Sequence, residues 1–105
     1  MAEVMAERTV GGIRIERYCT LHVAGDRHLV GRVLPGRWVV TGAVVVEEGD
    51  VLITHDARRY VLGEPAKALF PEAEAAARAV LKGLCCYDAE QIDAIVDRLR
   101  ALVAG

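Results

Sequence analysis

The chain has 105 residues, of which 53% are hydrophobic and 27% are charged, and its formal net charge at pH 7 is −2. This length suits a single domain, and the apolar content excludes an intrinsically disordered chain. The longest nearly unbroken apolar stretch, residues 38–46, is far shorter than the roughly 20 residues of a transmembrane helix. The sequence contains no serine and no asparagine, which excludes a serine nucleophile and N-glycosylation acceptors.

The amino-terminal residues and the cysteines bear on cellular location. Residues 1–8 include acidic side chains and lack the apolar segment of a secretory signal. Of the three cysteines, Cys85 and Cys86 are adjacent, which does not fit the disulfide framework of a small secreted protein. We therefore expect a cytoplasmic protein with three free thiols and no contact with a membrane.

Residues 11–63 are predicted to form five antiparallel strands, as a β-meander or a small barrel. From Ile13 the residues alternate between apolar and polar, and Arg17 alone interrupts the apolar face, which is typical of a half-buried strand. Turns that contain glycine recur near residues 25, 36 and 49. Their spacing favours strands in up-and-down order.

Residues 37–47 are apolar on both faces of the predicted strand. Trp38 and Val40 would lie on one face, and Val39 and Val45 on the other. Such a pattern predicts a single central strand that is covered on both sides.

Residues 65–104 are predicted to form a hairpin of two helices. The first, near residues 71–84, begins with Pro71, which suits the first turn of a helix. The second, near residues 88–103, begins at Asp88, whose carboxylate can cap the helix while Gln91 reaches back. The chain is therefore predicted to be one α+β domain, residues 1–105.

Two cysteine-containing segments could bind a metal or take part in redox chemistry. Cys19 and His22 have C-x-x-H spacing, but alternation along a strand sends them to opposite faces. We interpret Cys19 as a core residue and His22 as a surface residue. Cys85 and Cys86 precede a helix, but zinc sites use C-x₂-C spacing, so we predict that both pack within the turn between the helices.

A titratable cluster is predicted at one hairpin tip. His55, Asp56, Arg58, Arg59 and Tyr60 are close in sequence, and such residues can bind an anion or transfer a proton. Polar residues are also common at solvated turns, which is the interpretation we favour. The sequence has no phosphate-binding loop, H-E-x-x-H motif or nucleophile elbow.

These observations leave three functional hypotheses. We favour a non-enzymatic protein-binding or assembly module, since enzyme signatures are missing and apolar residues are in excess. One alternative is a nucleic-acid-binding small β-barrel in which Tyr18, Trp38 and Tyr60 stack on bases. It is not favoured, because residues 8–63 hold eight arginines against six acidic residues while the whole chain is negative. The other alternative is a small enzyme or metal site that uses His55 and the cysteines.

We assign no catalytic, metal-ligating or cofactor-binding residue and expect no cofactor. The candidate binding surface comprises His55, Arg58, Arg59, Tyr60, Arg14, Tyr18 and His22. We also expect a homodimer, because one layer of two helices covers only one face of an open sheet. Two-fold pairing is the commonest way to bury the other face.

Overall fold

The computed structural model describes residues 12–33 and 36–104. The predicted start of the sheet at residue 11 and part of the predicted turn, residues 34–35, lie outside this range. Six strands precede two helices: β1 Ile13–Val23, β2 Asp26–Val33, β3 Arg37–Val40, β4 Val44–Glu48, β5 Val51–Thr54, β6 Arg59–Leu62, α1 Pro71–Gly83 and α2 Ala89–Ala104. The predicted α+β class and the two C-terminal helices are confirmed.

The strands form one mixed sheet in the order β3-β2-β1-β6-β5-β4. Neighbouring strands are antiparallel, except that β6 lies parallel to the start of β1. The prediction of five antiparallel strands is therefore wrong in number and in one pairing. The parallel pair arises because the chain does not reverse between β3 and β4, so β6 has the same direction as β1 when it returns beside it.

The sheet is strongly curled. β3 and β4 lie at opposite ends of the strand order, although only residues 41–43 connect them. In a flat sheet, strands spaced about 4.8 Å apart would separate these ends by about 24 Å, whereas four Cα steps span at most about 15 Å. An ion pair of 2.6 Å between Arg27 and Glu47 also joins β4 to β2, the strand next to β3. Among the described residues no ladder pairs β3 with β4, so strand pairing does not close the predicted barrel.

The predicted central strand at residues 37–47 is instead two edge strands, β3 and β4. Thr41 interrupts the run because its side chain takes over backbone hydrogen bonds: its Oγ1 accepts from the Leu29 N–H at 3.0 Å and donates to the Gly42 carbonyl at 2.8 Å. The prediction of one continuous strand is therefore wrong. β3 does have apolar cover on both of its faces, as predicted, because Trp38 and Val39 pack against two different hydrophobic clusters.

Two separate cores stabilise the fold. The helix-covered core lies between the helices and one face of β1 and β2, and its buried residues are Cys19, Leu21, Val23, Val30, Ala73, Ala77, Leu81, Ile92, Val96 and Leu99. The sheet core lies inside the curl, and its buried residues are Ile15, Leu29, Leu52 and Tyr60.

A β-bulge lets β1 contribute to both cores. The register of β1 against β2 shifts between Glu16 and Cys19, and Arg17 within this interval has a positive φ of 50°. One extra residue reverses which face the following side chains occupy. Ile15 therefore lies in the sheet core and Cys19 in the helix-covered core, so the prediction of one continuous apolar face along this strand is wrong.

The helices pack on β1, β2 and β3. The capping box predicted at α2 is confirmed: the Gln91 N–H donates to the Asp88 carboxylate at 2.8 Å, and the Asp88 N–H donates to the Gln91 side chain at 2.9 Å. Phe70, which precedes α1, stacks near Trp38 with ring centroids 5.4 Å apart. Within the described part of the chain, neither helix combines the length and apolarity that membrane crossing requires.

Candidate binding surfaces

The predicted surface residues lie in three places and do not form one surface. The first place is the turn between β5 and β6, the second is the convex face of the sheet, and the third is the side of β1. Tyr60 is buried in the sheet core. The remaining residues are His55 and Arg58 at the turn, Arg14 and Arg59 on the convex face, and Tyr18 and His22 beside β1.

The turn between β5 and β6 is organised by local hydrogen bonds. The Thr54 hydroxyl donates to the Asp56 carboxylate, and this bond lowers the pKa of Asp56 below its usual value. Arg58 forms an ion pair with the same carboxylate at 3.3 Å. The backbone N–H of His55 donates to the carbonyl of Ala43 at 2.8 Å. The side-chain partners described for Asp56 are thus Thr54 and Arg58, an arrangement that suits a structural turn.

The aromatic side chains proposed to stack on bases lie apart from one another. Trp38 packs beside Phe70 in the helix-covered core. Tyr60 is buried inside the curl, and Tyr18 is half-buried against the same core. A shared exposed platform for bases is therefore not formed by these three residues.

The structure confirms the interpretation of Cys19 and His22. Cys19 is buried in the helix-covered core, where burial raises its pKa to about 11, and His22 is exposed on the opposite face of β1. The prediction that Cys85 and Cys86 pack in their turn is wrong, because both are exposed. The turn begins with Cys85 at a positive φ of 61°. Among residues 12–33 and 36–104, no group of three or more His, Cys, Asp or Glu could hold a metal ion.

An apolar patch lies on the convex face of β4, β5 and β6, which we call the outer face. Val46 lies directly opposite Ile53, and Val51 lies directly opposite Val61, so the four side chains share one face. They belong to neither core, and the helices pack on the other half of the sheet. Val46 is 41% exposed.

Charges flank this outer face in an ordered way. Glu48 lies opposite Val51 on the β4 side. On the side of β6 and β1, Arg59 lies opposite Ile53, and Arg14, which forms an ion pair with Glu16, lies opposite Val61. The patch is therefore negative at one side, apolar in the middle and positive at the other.

On the side away from β2, no described strand pairs with the second half of β1, and we define this free edge as residues 20–23. The first half of β1 pairs with β6 on this side, and the pairing ends where the Ala66 N–H donates to the Tyr18 carbonyl at 2.9 Å. Beyond this point a cleft of about 410 Å³ opens, lined by Tyr18, Thr20, His22, Arg27, Pro65 and Leu102, among others.

Sequence patterns did not locate either surface, because an exposed face or edge depends on which other segments pack beside it. The alternation in β5 and β6 marks two sets of side chains, but it does not say which set faces a core. The polar positions Thr20 and His22 are visible in the sequence, but an open edge depends on where β6 leaves the sheet.

Comparisons with protein-family models, with curated proteins and with solved structures return no match for this chain.

Proposed function

We propose that this protein is a non-enzymatic assembly module that forms a homodimer through its outer face. The observation that carries the proposal is the partly exposed patch of Val46, Ile53, Val51 and Val61, which belongs to neither core of the described residues. Contiguous apolar patches on a protein surface commonly mark interaction sites. In this proposal the module acts in the cytoplasm, where the exposed thiols of Cys85 and Cys86 stay reduced.

The charge pattern supports a second copy as the occupant. A two-fold axis parallel to β5 would place two outer faces against each other with left and right exchanged. Glu48 of each copy would then lie toward the arginine side of the other, while the valines and Ile53 meet in the middle. A self-complementary surface of this kind is what a two-fold interface requires.

Light scattering tests the proposal. At micromolar concentration the protein should have about twice the chain mass of 11.4 kDa. Val46→Arg should return the mass to that of one chain, because it places a charge within the apolar patch. Val80→Arg on α1 is the matched control, since Val80 is 38% exposed and Val46 is 41% exposed, and it should leave the dimer intact.

A charge exchange sharpens the test. Glu48→Arg should weaken the dimer, and adding Arg59→Glu to the same chain should restore it. A single-chain mass that persists as the wild-type protein is concentrated would overturn the proposal. Equal effects of Val46→Arg and Val80→Arg would exclude the outer face as the interface.

A further inference from the structure

The free edge of β1 is a second feature of the fold, with which no described strand pairs, and it is independent of the outer face. Backbone groups along a strand point alternately to its two sides. The Tyr18 carbonyl accepts from Ala66, on the side away from β2. The N–H and C=O groups of Thr20 and His22 therefore also point away from β2, where the chain after Ala66 has left the sheet.

Side chains border this edge on the α2 side and at the end nearest Tyr18. On the α2 side, the helix contributes Ile95, Leu99 and Leu102 to a recess that also includes Thr20 and His22. Leu102 is 56% exposed although it is a large apolar residue. At the end nearest Tyr18, Pro65 and Ala66 border the larger cleft. A strand placed along β1 would thus find backbone partners and an apolar contact at the same place.

The charged side chains around the edge are arginines. Arg98 lines the smaller recess, and Arg27 lines the larger cleft. Among the described residues that line either space, none is acidic. Arg27 already pairs with Glu47, whereas no described acidic side chain forms an ion pair with Arg98. These positive charges favour a partner segment that carries carboxylates.

We propose that residues 20–23 of β1 bind an extended peptide segment of a partner protein, in which an apolar residue and an acidic residue lie two positions apart, so that both side chains face α2. The segment adds a strand to the sheet, a known mode of peptide recognition in which main-chain hydrogen bonds supply affinity and alternate side chains supply specificity. Its backbone bonds to Thr20 and His22, an apolar side chain contacts Leu102, and a carboxylate pairs with Arg98. Open strand edges are usually protected in native proteins, and such a partner would protect this one.

Amide hydrogen exchange tests the contact within one strand. The probe is a capped seven-residue peptide in which valine and glutamate lie two positions apart with threonine between them, and the same peptide with lysine in place of glutamate serves as the control probe. In the free protein, the amides of Thr20 and His22 should exchange faster than those of Leu21 and Val23, which point toward β2. The glutamate peptide should slow exchange at Thr20 and His22, and the lysine peptide should not.

Binding measured by fluorescence anisotropy separates this contact from non-specific charge attraction. Arg98→Glu should weaken binding of the glutamate peptide about tenfold, the loss expected for a charged hydrogen bond. Arg37→Glu makes the same charge change at an exposed residue at the start of β3 and should leave binding unchanged.

Three results would overturn the proposal. Equal binding of both peptides would show that the acidic residues are not recognised. Binding without protection at Thr20 and His22 would place the peptide elsewhere. Protection of these two amides that rises with protein concentration alone would show that a second copy covers the edge. The Val46→Arg variant, tested with the same peptide, keeps this outcome separate from dimerisation through the outer face.

Discussion

The half of the sheet formed by β2, β3 and the end of β1 is covered by two helices, whereas the half formed by β4, β5 and β6 buries its inner face by curling. The helix-covered core contains ten buried residues and the sheet core contains four. The larger core should therefore contribute more to stability. The half formed by β4, β5 and β6 contains the outer face, because curling of the sheet buries only the inner face of these strands.

This difference shows how one short chain can build a stable sheet and still expose part of it. Two helices are enough for one face of three strands. The remaining strands need a second layer, and among the described residues the chain supplies none. The outer face, on which the dimer proposal rests, is exposed because the described residues supply no second layer over these strands.

Thiol labelling should show the largest difference between the interior of the helix-covered half and its surface. Cys19 is 8% exposed and burial raises its pKa to about 11, so little of it is the reactive thiolate. With iodoacetamide under native conditions, Cys85 and Cys86 should react at least about 100-fold faster than Cys19, as followed by intact mass. Failure of both exposed cysteines to react until a reductant is added would show that they are bridged.

Truncating one leucine in each core compares the two halves directly. Leu99 and Leu52 are each 2% exposed, so their burial is matched. Leu99→Ala should cost about 3–5 kcal/mol and Leu52→Ala about 2–3 kcal/mol in urea denaturation, because the smaller core can collapse more readily around a cavity. A larger loss at Leu52 would show that the curled half dominates stability.

Gly31→Ala tests how tightly the curl is packed. A Cβ at this position would lie 2.6 Å from Cγ1 of Ile15, a fully buried side chain of the sheet core. We expect a loss of about 1–3 kcal/mol, the usual cost of overpacking. Gly83→Ala is the control, since nothing lies within 4 Å of its added Cβ, and it should be neutral or stabilising. A neutral Gly31→Ala would mean that Ile15 can move.

Asp88→Ala removes the cap of α2 and should destabilise the helix-covered half by about 0.5–2 kcal/mol. The carboxylate accepts from the Gln91 N–H at 2.8 Å, and that donor would be left to water. Asp97→Ala, which removes an exposed ion pair with Arg100, is the control and should cost less. Equal losses in chemical denaturation would show that another group caps this helix.

Acid should weaken both halves slightly through one carboxylate in each. The Glu64 N–H and Arg14 lower the pKa of Glu16, and Arg78 and Arg100 lower the pKa of Glu74. Because folding lowers both pKa values, this stabilisation is present above the unfolded pKa and is lost as the pH falls through the folded one. Glu16→Gln and Glu74→Gln should each reduce the loss of stability between about pH 5 and pH 3. An unchanged pH dependence in both variants would show that other groups control it.

Sequence patterns predicted much of the helical half. The capping signal at Asp88 and Gln91, the helix start at Pro71 and the burial of Cys19 all depend on neighbours within a few residues, so local rules reached them. The candidate surface was predicted less well. Tyr60 was included in it because it follows two arginines in sequence, but alternation along β6 turns it into the sheet core.

The sequence by itself determined which segments are strands and helices and which strand positions are apolar, because these depend on periodicity and on turn residues. Only the tertiary structure decided that Thr41 divides one apolar run into two edge strands, that the bulge at Arg17 sends Ile15 and Cys19 to different cores, and that β6 lies beside β1. Each of these depends on contacts between residues far apart in the chain. The same contacts decided which side chains are left for a partner, since a face is exposed only when no other segment packs on it.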